Sequence, residues 1–319
     1  MEKGKGLANI SVIVPIFNEE KNIGMLYKRL QETLDKNGRT YEVLLIDDGS
    51  TDKSWDELLR IHGQNKRFKA IKLRRNFGQT AAISAGFDYC RGDIVLTLDA
   101  DLQNEPEDIP KLIDEIEKGY DVVSGWRKDR RENYITRRFP SNMANRLISF
   151  LTGVRLHDFG CTLKAYRRDV VKNTKLYGEM HRYIPALASW MGITVSEVVV
   201  GHKPRIHGKS KYGLNRIFKV FLDILTLKFL LSFSTKPIQI FGLLGILVGA
   251  LGGILTIILL IQRIFFLVPL GNRPLFILAI FLVFVGIQFI TFGLLAELNV
   301  RIYHESQKKP IYFVRQIKG

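Results

Sequence analysis

Short β-branched apolar runs recur along the first part of the chain, each ending in a polar cluster, with amphipathic stretches between them. Residues 10–17 (ISVIVPIF) are the first such run and read as a strand buried on both faces. Beyond Asn18, Glu19 and Glu20 the apolar positions become Ile23, Leu26, Tyr27 and Leu30, the spacing of one helix face. Residues 41–46 predict a second strand, which ends in Asp47-Asp48-Gly49-Ser50-Thr51-Asp52. A further helix leads to a third strand at 68–73, a small-residue helix follows at 80–90, and 93–98 is a fourth strand. Residues 120–125 and 194–200 read as two more, the last at a sheet edge. Strands and helices alternating at this spacing predict an α/β domain with a doubly wound, mostly parallel sheet.

The pattern changes after about residue 200. Residues 237–261 and 274–296 are apolar throughout and hold no acidic or basic side chain. Each is longer than the roughly 20 residues needed to span hydrocarbon, so two C-terminal transmembrane helices are predicted. Gly245, Gly249 and Gly253 recur at four-residue spacing in the first, with Gly242 and Gly252 nearby, which permits close helix contact within a chain or between chains. Before this pair, residues 214–233 place Arg216, Lys219 and Asp223 against Ile217, Phe218, Phe221, Ile224 and Leu225, the pattern of an interfacial amphipathic helix. The expected organisation is a catalytic domain over 1–212, an interfacial helix over 213–235 and a hairpin with its tail over 236–319.

Charge refines this picture. The 319-residue chain carries a formal net charge of +16, which calls for an anionic partner. Lys203, Arg205, Lys209, Lys211, Arg216, Lys219, Lys228 and Lys236 precede the first span; Arg301, Lys308, Lys309, Arg315 and Lys318 follow the second; only Arg263 and Arg273 lie between. The positive-inside rule then puts both termini in the cytoplasm and the short connection outside, a two-span inner-membrane protein. Basic residues beside the spans point to anionic lipid rather than nucleic acid, of which no recognition module is evident. Cys90 and Cys161 have neither metal spacing nor a disulfide framework, as suits a reducing compartment. The first residues lack the pattern of a signal peptide.

The chemistry concentrates after the fourth strand, in Asp99-Ala100-Asp101. Side chains at i and i+2 of an extended segment point to one side, so both carboxylates can converge at the carboxyl end of a strand, where open α/β sheets bind ligands. Two hard oxygen ligands suit a divalent metal shared with substrate phosphates. Neither a Walker loop nor a strand-borne G-x-G-x-x-G is present. Acids at the strand ends, Asn18-Glu19-Glu20 and Asp47-Asp48, can instead accept from a ribose hydroxyl or a base N–H.

Val12-Ile-Val-Pro15-Ile-Phe-Asn18-Glu19, then Ile46-Asp47-Asp48-Gly49-Ser50-Thr51-Asp52, then Asp99-Ala100-Asp101-Leu102-Gln103 resemble, in order and spacing, the family 2 glycosyltransferases of GT-A fold. The resemblance covers about residues 8–212. With two C-terminal spans it narrows to polyprenyl-phosphate glycosyltransferases, relatives of dolichyl-phosphate mannose synthases. The bacterial bactoprenol glucosyl branch looks closest, helped by Arg74-Arg75-Asn76-Phe77-Gly78-Gln79 and Gly160-Cys161-Thr162-Leu163-Lys164-Ala165-Tyr166-Arg167. It implies a uridine-type nucleotide pocket from Pro15, Phe17, Glu19, Asp47 and Asp48, with Asp99, Ala100, Asp101 and Gln103 at the donor diphosphate. Asp99 and Asp101 would hold Mg²⁺ or Mn²⁺. Arg205, Lys209 and Lys211 match a loop over the donor phosphates, while Arg127, Arg137 and Ser141 match residues that bind the acceptor's phosphate. Asp158 matches an acid near the reacting centre, there either to take a proton or to orient groups.

The implied reaction is inverting, metal-dependent transfer of a hexose, glucose from UDP-glucose in the first instance, to undecaprenyl phosphate at the cytoplasmic membrane face. GDP-mannose or UDP-aminoarabinose are the alternative donors, and a homo-oligomer is expected. A processive polysaccharide synthase would carry Q-x-x-R-W after the metal acids; Gln64-Asn-Lys-Arg67-Phe68 lies before them and ends in Phe. A non-catalytic membrane-anchored module would not require Asp99, Asp101 and Asp158 intact.

Overall fold

The computed structural model describes residues 10–128, 145–146, 148–150, 152–174, 176, 180–203, 237–266, 269, 273–306 and 311–319. The chain forms two compact units, Met1–Leu225 with Pro310–Gly319, and Thr226–Lys309. The expected interfacial helix over 213–235 lies outside the described residues.

In the first unit, strands β1 (Ile10–Ile16), β2 (Tyr41–Asp47), β3 (Phe68–Leu73), β4 (Ile94–Thr97), β5 (Val122–Trp126), β6 (Lys164–Arg167), β7 (Val195–Val199) and β8 (Val314–Lys318) build one sheet. Their spatial order is β7-β5-β6-β4-β1-β2-β3-β8. β1 pairs in parallel with β2 and β4, β2 with β3, and β5 with β7. β6 runs antiparallel between β4 and β5, and β8 antiparallel along β3. The sheet is thus mixed, its central strands parallel and continuous in burial as the apolar runs predict.

Helices α1 (Glu20–Lys36), α2 (Ser54–Gln64), α3 (Gln79–Tyr89), α4 (Ile109–Glu117) and α5 (Arg168–Asn173) connect the strands. The small residues of α3 have a direct cause. Ala81, Ala82, Ala85 and Gly86 are buried, and a Cβ on Gly86 would stand 2.3 Å from Ile13 Cγ2. That helix therefore lies closer to β1 than any side chain at 86 would permit. Its first turn also meets a buried histidine: Thr80 Oγ1 is 2.7 Å from His181 Nδ1. Burial, with Arg182 and Lys164 adding repulsion, holds the His181 imidazole down to about 3. Unfolded, the ring binds its proton near pH 6.5. Below that pH the unfolded chain carries a proton that the fold refuses, so stability falls with acidification by up to about 1.4 kcal/mol per pH unit. Thermal unfolding of the detergent-solubilised protein should show this as a midpoint dropping from pH 7 to pH 5, and His181→Asn should flatten the slope. A parallel slope in the variant would assign it to other groups.

The second unit holds α6 (Pro237–Phe266) and α7 (Pro274–Ser306), which are long and apolar enough to cross a membrane over Phe241–Phe265 and Pro274–Ala296. Only 17% and 11% of their most apolar windows are buried, so the outward surface is Leu, Ile and Phe, unlike core helices of a water-soluble domain. The helices meet along glycines. Cβ atoms on Gly245 and Gly252 would lie 2.6 Å from Gly286 O and 2.7 Å from Ala279 O, while one on Gly286 would lie 2.6 Å from Gly249. Among the described residues nothing lies within 4 Å of a Cβ on Gly253. The seam therefore follows 245, 249 and 252 rather than the strict four-residue repeat, because 3.6 residues per turn carry position 253 off the line.

Candidate active site

Four strands deliver the residues singled out in the sequence to one edge of the sheet. Pro15 and Phe17 close β1, Asp47 and Asp48 close β2, Asp99 and Asp101 follow β4, and Arg127 follows β5. Because β6 is antiparallel, its first residue starts at this same edge, so the stretch 158–163 arrives there too.

On the β1–β2 side the polar motifs are stitched to each other. Asn18 sits at a left-handed φ of 56°. Its Oδ1 accepts from the Thr51 amide at 2.8 Å, and its amide donates to Ser50 Oγ at 3.0 Å. The Glu19 amide donates to Ser54 Oγ and the Glu20 amide to Asp52 Oδ2, while the Lys53 amide donates to Glu20 Oε2. Asp47 is fully buried; Oδ1 accepts from the Ser50 amide at 3.0 Å, and Oδ2 has Lys72 Nζ at 3.8 Å but no hydrogen bond among the described residues. Asp48, 3% exposed, accepts the Phe77 and Gly78 amides at 2.8 and 2.9 Å. Burial raises its carboxyl above the ordinary range, opposed by those two amides.

Gly49 completes the turn at φ 71°, where a Cβ would stand 2.4 Å from the Arg75 carbonyl carbon. Both the left-handed backbone and the backbone-to-backbone approach require glycine. Gly49→Ala is expected to cost at least about 2 kcal/mol; a thermal midpoint within a degree of wild type would contradict this.

The two acids after β4 differ from expectation in their backbone. Residues 100–102 form a tight turn, not an extended continuation of the strand, and Leu102 takes a φ of 61°. Asp101 Oδ1 accepts the Gln103 amide at 3.1 Å. Asp99 is gripped by two side chains: Gln79 Nε2 donates to Oδ1 at 2.7 Å and Thr162 Oγ1 to Oδ2 at 2.6 Å. Thr162 is itself tied down by Thr97 Oγ1, which donates to its carbonyl at 2.6 Å. Burial, with the neighbouring Asp101 charge, pushes Asp99 up to about 6. Like-charged, desolvated carboxylates are costly together unless a cation joins them. Among the described residues no third His, Cys, Asp or Glu completes a ligand set. The pair therefore suits a hard divalent ion whose remaining positions are filled by substrate oxygens and water.

An ion pair lies where β5 ends and the approach to β6 begins. Arg127 Nε and Nη2 donate to Asp158 Oδ2 and Oδ1 at 2.8 and 3.2 Å, and the Gly160 amide donates to Oδ1 at 3.1 Å. Asp158 is 2% exposed. The fully buried Lys164 ammonium holds the loop behind it, donating to the carbonyls of Phe159 and Cys161, and burial brings it down to about 8. Trp126 stacks on His157 at 4.3 Å between ring centres, and His157 pairs with Glu197. Gln79, Thr162 and Lys164 carry no role in the motif reading, although two of the quoted segments contain them. Arg137, Ser141, Arg205, Lys209 and Lys211 lie outside the described residues.

An acid pair fit for a metal and an arginine–aspartate pair thus share the carboxyl edge of an α/β sheet, an arrangement suited to nucleotide-dependent group transfer. The Glycosyl transferase family 2 model matches residues 11–174, and the chain belongs to that family of enzymes. Two relatives align over nearly its whole length. The dodecaprenyl-phosphate galacturonate synthase of Rhizobium johnstonii is 41% identical over 97% of this chain and 92% of its own. The undecaprenyl-phosphate 4-deoxy-4-formamido-L-arabinose transferase of Edwardsiella ictaluri is 38% identical over 99% and 96%. Among solved structures, the Mycobacterium tuberculosis glucosyl-3-phosphoglycerate synthase with Mn²⁺ and UDP-glucose shares the fold. Its TM-score is 0.55 at 18% identity, over 69% of this chain and 79% of that one.

Proposed function

We propose that the protein transfers one sugar from a nucleotide-sugar donor to a polyprenyl phosphate at the cytoplasmic face of a membrane, with inversion. The observation that carries this reading is the placement of Asp99, Asp101, Arg127 and Asp158 at one sheet edge, in a chain whose full-length relatives are named for polyprenyl-phosphate sugar transfer. Two apolar helices supply an anchor suited to a lipid acceptor. β7, the last strand before them, and β8, the strand after them, belong to one sheet, which supports a hairpin with both ends on one side.

Departure of the diphosphate builds negative charge, and a divalent ion between Asp99 and Asp101 would supply Lewis-acid stabilisation of it. Gln79 and Thr162 fix the Asp99 carboxylate so that little reorganisation is needed at that moment. Arg127 is the group for the acceptor: a guanidinium has five donors, so it can serve Asp158 through Nε and Nη2 and still present hydrogens to a phosphate oxygen. A phosphate monoester has its second pKa near ~6 and is largely ionised at neutral pH. The nucleophile thus needs no strong base, and a carboxylate engaged on both oxygens with a guanidinium orients Arg127 better than it takes a proton.

For the sugar, the relatives' names favour galacturonate or 4-deoxy-4-formamido-L-arabinose over the glucose that the motif resemblance implies. The decisive assay incubates the purified full chain with undecaprenyl phosphate and Mg²⁺ or Mn²⁺. UDP-glucose, UDP-galacturonate, UDP-4-deoxy-4-formamido-L-arabinose and GDP-mannose are supplied in parallel, and lipid-linked sugar is measured. Transfer from none of them would sink the enzyme reading, and undiminished transfer in EDTA would remove the metal.

A further inference from the structure

The C-terminal segment beyond the apolar helices returns to the donor side of the sheet. β8 pairs with β3 in the register Ala70 to Lys318, Ile71 to Ile317, Lys72 to Gln316 and Leu73 to Val314, with an irregularity between Lys72 and Leu73. Just before it, Tyr312 is buried, and its hydroxyl donates to Asp88 Oδ2 at 2.6 Å. Phe313 O accepts the Arg74 amide at 2.9 Å, and the Phe313 ring stands 6.2 Å from that of Phe77. The Arg75 guanidinium covers the Phe77 ring at 4.3 Å.

These contacts grip one continuous element, the loop 74–78 and α3, at both ends: Arg74 and Phe77 at its start, Asp88 at its finish. That element touches both halves of the donor site. Its Phe77 and Gly78 amides bind Asp48, and its Gln79 side chain binds Asp99. Gly49 packs against its Arg75 backbone. An aromatic contact and two hydrogen bonds from residues 312–313 are thus the outer support of the segment on which the two carboxylates rest.

We infer that Tyr312 and Phe313 are positioning residues for nucleotide-sugar binding, acting through the loop 74–78, so that the segment following the membrane helices sets donor affinity. This rests on the reading of Asp48 and Asp99 as parts of the donor pocket. Neither residue touches the reacting atoms in this arrangement; their effect belongs to donor binding and not to the chemical step or the lipid acceptor.

The test uses the full-length protein in detergent, with Phe313→Ala, Tyr312→Phe and the conservative Phe313→Tyr. UDP and GDP binding, the donor KM, the acceptor KM, kcat and amide hydrogen exchange over 74–78 are measured on each. An aromatic pair contributes enough that Phe313→Ala should weaken nucleotide binding and raise the donor KM by up to about tenfold. Exchange at Phe77 and Gly78 should speed by a similar factor, with kcat and the acceptor KM within about twofold of wild type, and Phe313→Tyr should restore all of these. Nucleotide binding and loop exchange unchanged in both Phe313→Ala and Tyr312→Phe would overturn the inference. So would a loss that falls equally on donor, acceptor and thermal stability, since that marks mere structural support. A wild type that binds neither UDP nor GDP overturns the pocket reading itself, and is told apart because the defect is then present before any substitution.

Discussion

Asp101→Asn is expected to lower lipid-linked sugar formation by at least about 10³-fold while leaving the protein folded. The size follows from what the position has to do. A departing diphosphate gains charge in a desolvated cleft, where loss of even one hydrogen-bond donor costs about 10²–10³ in rate and loss of a metal ligand removes more. Asp99 has both oxygens committed to Gln79 and Thr162, so part of its role is to shape the site. Asp101 stands in the turn beyond it. Replacing one of two neighbouring carboxylates, Asp101 buried and Asp99 partly so, also relieves the repulsion that raises Asp99, so the thermal midpoint without metal should hold or rise. Retention of more than a tenth of the wild-type rate with saturating Mn²⁺ would refute Asp101 as a metal ligand.

The second large effect is on stability. Asp158→Ala strands the partly buried Arg127 guanidinium, 16% exposed, and breaking a pair whose other member is buried costs up to about 3–5 kcal/mol. In a domain of this size that is a midpoint lower by on the order of 10 °C. Replacing both partners, with Arg127→Met and Asp158→Leu together, removes the uncompensated charge and should recover most of the stability without recovering activity. Thermal unfolding and transfer rate measured on the three variants separate the roles. If the double variant regained transfer, the pair would be structural only.

Much of this architecture is legible in the amino-acid order, for physical reasons that also explain what is not. Strands buried on both faces must be apolar along their length, so residues 10–16, 41–47 and 94–97 announce themselves. β6 does not, because its first residue is Lys164, a charge that reads as surface but is satisfied inside by two carbonyls. Nor does β8, an edge strand exposed over most of its length, whose Arg315 and Lys318 suit a rim and leave no alternation to detect. The acid pair is visible as spacing, yet its grip by Gln79 and Thr162 arises from contacts 20 and 63 residues away in sequence. Asp47 and Asp48 read as residues of a nucleotide pocket, and the fold adds that Asp48 also accepts two backbone amides of another loop. That support, from residues 29 and 30 positions away, needs three dimensions.

The glycine seam of the apolar hairpin has a bearing on assembly. Gly245, Gly249, Gly252 and Gly286 face one another within a single chain, backbone against backbone. A seam of this kind is spent once: a second subunit cannot nest in it while the hairpin is closed. What each copy offers its neighbours in the bilayer is the outer coat of Leu243, Leu247, Leu251, Phe281 and Phe284, a surface as well matched by acyl chains as by another protein. Any self-association of this chain is therefore expected to draw its specificity from parts that meet water.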